Sequence, residues 1–230
     1  MCFSATASFV AASVLVPVGI YCLRSSNQVD RRYLAFAMLP LIFGLQQVLE
    51  GGLWLALAQG DAGAAHNLAL AFLFFSHVFW MGWIGYSAYL VEEKPRLRLL
   101  FLSISVFGVL LGAVMYVPLL FYDAWMVATI VQHSVHYQLS FVTDGYVSQW
   151  LISLLYTCVI LTPLLLSSDR YHNRLGGLAL VSGIVTWALY DWAFVSVWCY
   201  FGALISLYIF YVIVRAKQKH YQEKVDASLL

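Results

Sequence analysis

Three ionisable side chains, Glu50, His77 and Asp191, lie inside long apolar stretches of this 230-residue chain. An ionisable group in hydrocarbon is costly, so each needs a partner, a neutral state or a function. Counted at about 1.5 Å per helical residue, Glu50 lies about 12 Å below residue 58 and His77 about 15 Å below residue 67. Asp191 lies only about 6 Å below residue 195. Glu50 and His77 therefore share a level on consecutive helices, which are usually neighbours. The two are expected to touch, directly or through one water. Gln46 and Gln47, four and three residues before Glu50, share its helical face. Ser4 and Ser8 near the N-terminus, Ser153, Tyr156 and Thr157, and Thr186 and Tyr190 supply further polar groups at this depth, with Ser13 deeper. The pattern predicts a polar pocket opening to one side, built for a small hydrogen-bonding solute or a proton. The plainer alternative is that Gln46, Gln47 and Glu50 only glue helices together, at about 0.6–2 kcal/mol per bond. Asp191, followed by Trp192, also suits an interface or helix-end contact.

Metal chemistry is the second option. Glu50, His77 and Asp191 could supply three zinc ligands from three helices, although one buried imidazole is a poor complement. His133 and His136 form a His-x-x-His pair in a connection. Cys2 and Cys199 both fall near the same outer face, where a disulfide is chemically permitted. Cys22 and Cys158 read as small apolar fillers. No Lys lies within an apolar segment and His77 is the one membrane imidazole, so retinal and bis-His haem are disfavoured. HExxH, GxSxG and CxxC are absent.

The elements that must position these groups follow from composition. The chain is 63% hydrophobic and 10% charged, with a mean hydropathy of +0.83. Average soluble domains carry roughly 25% charged residues, which excludes a soluble enzyme or a nucleic-acid binder. Seven apolar segments stand out, at about 4–23, 33–58, 67–91, 97–121, 147–167, 174–195 and 198–215. Each is long enough, or nearly so, to cross a hydrocarbon core. They lack the alternation of barrel strands, so the fold class is an all-α membrane protein, a single domain of seven transmembrane helices. Pro17, Pro40, Pro118 and Pro163 are expected to kink or open their helices. Gly108-x-x-x-Gly112 reports close helix packing.

All 12 Lys and Arg fall in, or at the segment ends bordering, the 1–2, 3–4 and 5–6 connections and the tail. The positive-inside rule places the N-terminus outside and the C-terminus in the cytoplasm. The first 20 residues carry no positive charge, so the first segment reads as a retained helix rather than a cleaved signal. Trp54, Trp125, Trp150, Trp192 and Trp198 map near the outer interface as an aromatic belt. The basic-free connection 122–146 is long, and its Val135–Phe141 stretch alternates apolar and polar. A small outer cap, of hairpin type, is expected there.

The opening Met1-Cys2-Phe3-Ser4-Ala5-Thr6-Ala7-Ser8-Phe9, with Phe43-Gly44-Leu45-Gln46-Gln47 and Glu50-Gly51, resembles a family of uncharacterised bacterial integral membrane proteins. That resemblance implies the cytoplasmic membrane and supplies no activity. Ser76-His77 faintly resembles the alkaline ceramidase and adiponectin-receptor-like superfamily of zinc-dependent membrane hydrolases. The paired His of that superfamily's last helix are missing here. The leading functional expectation is an outer-facing pocket that binds or conducts a small solute or proton. The alternatives are a metal- or acid–base-dependent hydrolase of a lipid-like substrate and a structural partner subunit. The bilayer is the expected surround, and the sequence is compatible with an oligomer.

Overall fold

The computed structural model describes residues 4–131, 133–140 and 149–228, with backbone alone at 149, 150, 191, 223–225, 227 and 228. Seven rods account for most of these residues. Helix α1 is Ala5–Val29, and α2 is Leu39–Gln59, entered through short turns at Arg31–Tyr33 and Leu34–Ala37. Helix α3 runs over Ala62–Val91, and α4 over Pro95–Tyr116 with a tighter last turn, Val117–Leu120. A two-stranded antiparallel hairpin follows, β1 Met126–Val131 and β2 Ser134–Leu139, in register Met126↔Leu139 to Val131↔Ser134. Helices α5 (Gln149–Leu166) and α6 (Arg170–Tyr190) lead to α7, which is Phe194–Ile205 and Leu207–Ser228 joined at Ser206.

Five of these rods, α1 to α4 and α7, are long and apolar enough to cross a membrane. Helix α5 holds a shorter apolar stretch, Leu151–Leu166. Helix α6 begins with the polar run Arg170-Tyr171-His172-Asn173-Arg174, which lowers its hydropathy. This is a membrane protein, and its outward faces agree: Leu110, Val114, Leu154, Val181 and Ile184 all lie exposed. Proline marks two of the breaks. Pro40 opens the main part of α2, and Pro118 sits in the tightened end of α4, whereas Pro17 and Pro163 lie within continuous helix.

Small residues set the helix spacings. Added methyl groups at Gly19, Gly44 and Gly51 would meet Leu41, Val16 and Phe9, so α1 and α2 lie flush along their length. Gly108 and Gly112 do the same for α4 against α3, where a methyl would strike the carbonyls of Met81 and His77. The expected role of that Gly-x-x-x-Gly pair is thus met. The hairpin also stands where a cap was expected. Met126, Val135 and Leu139 are buried against Leu53, Ala69 and Leu73 of α2 and α3. Its turn places His133 at φ +62, a left-handed conformation that histidine, with asparagine and aspartate, adopts more readily than other residues bearing a side chain.

Candidate functional site

While α1 lies flush against α2, the adjoining inward face of α2 carries Gln46, Gln47 and Glu50, and all three are fully buried. Their spacing of three and four puts them on one stripe. Glu50 Oε1 accepts a hydrogen bond from Ser196 Oγ at 2.6 Å, and Oε2 accepts one from Gln47 Nε2 at 3.2 Å. Gln46 Oε1 accepts from the Trp80 indole at 2.8 Å, and that ring stacks on Phe43 with centroids 4.0 Å apart. The stripe therefore ties α2 to α3 and to the first turn of α7. Hydroxyl donation to a carboxyl at 2.6 Å belongs to the short, strong class of protein hydrogen bonds.

His77 is positioned by a local irregularity. Residues Phe74–Phe79 of α3 form a π-helical turn, a rare geometry that recurs at functional positions. Within it His77 Nδ1 lies 2.9 Å from Ser76 Oγ, while that hydroxyl donates to the Leu73 carbonyl at 3.2 Å. The direction of the Ser76–His77 bond follows the imidazole tautomer, and in either neutral tautomer one ring nitrogen keeps a lone pair.

Both branches meet at one cavity of about 380 Å³ beneath the hairpin. His77 and Ser196 line it from the helices, Ser153 from α5, and His136 and Gln138 from β2, with Trp192 and Phe194 as aromatic wall. Glu50 reaches this space through Ser196. The volume falls in the range of small-molecule pockets.

The remaining expected groups are distributed as follows. Ser4 caps α1, its Oγ accepting from the Ala7 N–H at 3.2 Å. Ser8 is buried on α1 near the level of Gly51, and its Oγ has no protein partner, like Gln47 Oε1 and Trp54 Nε1. Cys199 is buried beside Trp198 and Tyr156, next to a small apolar chamber; Cys2 lies outside the described residues. The Asp191 side chain lies outside them as well. Among the described residues no three His, Cys, Asp or Glu side chains converge on one point. Of the two loop imidazoles, His133 stands exposed at the turn and His136 faces the cavity.

A family model described as a family of unknown function, DUF6629, matches residues 1–224. The chain belongs to the DUF6629 family. No curated protein and no solved structure matches it, and no similarity to the ceramidases is found. The resemblance carried by the Met1–Phe9 and Phe43–Gly51 segments is thus confirmed at the level of an uncharacterised family.

Sequence reasoning overlooked Ser196 and also a second polar constellation of this DUF6629 member, at the opposite end. There Ser87 Oγ lies 2.9 Å from His172 Nε2, His172 Nδ1 lies 2.9 Å from Asp169 Oδ2, and Tyr33 donates to Asp169 Oδ1 at 2.6 Å. Asp169 also caps α6, accepting from the N–H groups of Tyr171 and His172. Burial works to raise the Asp169 pKa, but the hydrogen bonds from His172 and Tyr33 outweigh it and hold the carboxyl down at about 2. Glu92 closes the same end by accepting from the Ser168 N–H at 2.8 Å. The order Ser–His–Asp is that of a nucleophilic triad. Yet Ser87 is 1% exposed and His172 is fully buried. The bonds of this group clamp together the turn before α2 (Tyr33), the end of α3 (Ser87) and the start of α6 (His172).

Proposed function

We propose that this protein binds a small hydrogen-bonding solute, or passes a proton, in the cavity beneath the hairpin. The observation that carries the reading is the convergence of His77 and the Glu50–Ser196 bond on one lined space. A purely adhesive role needs neither the cavity nor an imidazole lining it. The walls combine aromatic rings with hydroxyl, amide and imidazole groups, which suits a polar ligand with an apolar body.

The same reading takes the chain as one domain crossing the bacterial cytoplasmic membrane seven times, with the N-terminus outside and the cavity opening outward. Two observations support it. The basic connections are bonded to one another, through Arg32 to Glu93, Tyr33 to Asp169 and Ser168 to Glu92, so they share one end. Helix α6, which opens on a polar run, still turns Val181, Ile184 and Leu189 outward as a lipid-facing stripe. A reporter fused after Leu230 is expected to signal the cytoplasm; a signal from the other side would overturn this orientation.

The binding test is native mass spectrometry of protein released from mild detergent, comparing the wild type with Ser196→Phe. The wild type is expected to retain a small-molecule adduct that the variant, its cavity filled and its Glu50 bond removed, does not. Equal adducts on both, or bare protein in both, would sink the solute reading. Its proton branch is tested in proteoliposomes loaded with a pH-sensitive dye. There Glu50→Gln, nearly isosteric, is expected to abolish any proton flux of the wild type while keeping its melting temperature.

A further inference from the structure

We infer that a second cavity, at the basic end, holds the phosphate headgroup of an anionic phospholipid. This cavity has a volume of about 490 Å³ and lies between the last turn of α1, the turn Arg31–Tyr33 that follows it, the start of α6 and the middle of α7. Its lining is divided by chemistry. Val29, Val212, Ile213 and Ala216 form an apolar floor, and Arg32, Arg170, Lys219 and His220 stand among the polar groups around it. A soluble anion has no use for the floor. A phospholipid needs both parts, cations for the phosphate and apolar wall for the glycerol and first methylenes.

The cations are not equivalent. Arg32 is held by Asp30, its guanidinium 3.0 Å from Oδ2, and reaches Glu93 at 3.5 Å, so its charge is largely answered within the protein. Arg170 stacks on Tyr171 at 4.8 Å and donates to that phenol at 2.8 Å, contacts that orient the guanidinium without neutralising it. Lys219 and His220 follow one another on α7. The wider field has the same sign. The connections and tail at this end hold all 12 basic residues against six acidic ones, Asp30, Glu92, Glu93, Asp169, Glu223 and Asp226. Clustered Lys and Arg beside membrane helices attract anionic headgroups, and each contributes about fivefold in affinity near the surface. Bringing them to a lined recess adds a place for one lipid to sit.

The test uses the full chain in mild detergent, titrated with phosphatidylglycerol or phosphatidylcholine and read by native mass spectrometry. One phosphatidylglycerol is expected to bind in preference to phosphatidylcholine. Arg170→Gln with Lys219→Gln is expected to weaken that binding roughly 30-fold at low salt, with the melting temperature unchanged. Ala216→Leu, which crowds the floor and leaves every charge, is expected to weaken phosphatidylglycerol binding too. No preference between the lipids, or a preference that survives the double substitution, would overturn the inference. Displacement of phosphatidylglycerol by millimolar inorganic phosphate would reassign the recess to a soluble anion and overturn the lipid assignment. The solute cavity lies at the other end of the bundle, so its ligand test can fail without touching this one.

Discussion

Replacing Gly112 with alanine is expected to lower stability by about 2–4 kcal/mol, a large effect for a single added methyl group. The new Cβ would run into the backbone carbonyl of His77, and backbone on a packed helix cannot swing aside as a side-chain tip can. Helix α4 must then move off the π-helical turn, which loosens the bond between Ser76 and His77 and opens the floor of the cavity. Gly177→Ala provides the control, since a methyl there meets nothing within 4 Å and alanine favours helix. Thermal melting of the two variants in the same detergent is the measurement. Gly112→Ala melting like the wild type would mean that α3 and α4 do not pack as described.

Replacing His172 with alanine is expected to cost about 3 kcal/mol or more, because it strips partners from two buried groups at once. Ser87 loses the acceptor for its hydroxyl, and Asp169 loses a side-chain donor in a site where its carboxylate is 10% exposed. The clamp also carries a pH signature. Asp169 has a folded pKa of about 2, below its ordinary 3.8. A depressed carboxyl stabilises the folded state above its unfolded pKa and loses that contribution as pH falls through the folded value. Wild-type protein is therefore expected to lose roughly 2 kcal/mol between about pH 4 and pH 2 from this group. Asp169→Asn should be less stable at neutral pH and should lack that step. A wild-type acid profile unchanged by Asp169→Asn would show that the bonds to His172 and Tyr33 do not hold the carboxyl down.

Much of the architecture was legible because lipid leaves a chain few options. Apolar runs of one length imply helices, basic connections gather at one end, and an alternating stretch between them gave away the hairpin. The stripe Gln46–Gln47–Glu50 was legible for the same reason, since polar groups at spacings of three and four in an apolar run must face inward. Ser196 was not, because a lone serine is common in membrane helices and its partner lies 146 residues away. The clamp is hidden by charge, because residues 167–174 read first as a basic connection. Asp169 three residues before His172, at a helix start, is a capping signal that could have shown it. The π-helical turn has no compositional mark, as Phe74–Phe79 reads like any other apolar stretch.

That turn has a consequence for the phase of α3. A π-turn accommodates an extra residue in the helix, and each residue is worth about 100° of rotation. Ala65, Ala69, Phe72 and Leu73 before it, and Trp80, Met81, Ile84 and Ala88 after it, are all buried. The offset lets one continuous rod serve two differently placed partners: the hairpin and α2 at one end, and α2, α4 and the basic-end clamp at the other. Without the additional residue the first half would be turned by about 100° relative to the second. Its inward face would then point partly at lipid, and the hairpin would lose the wall on which it rests.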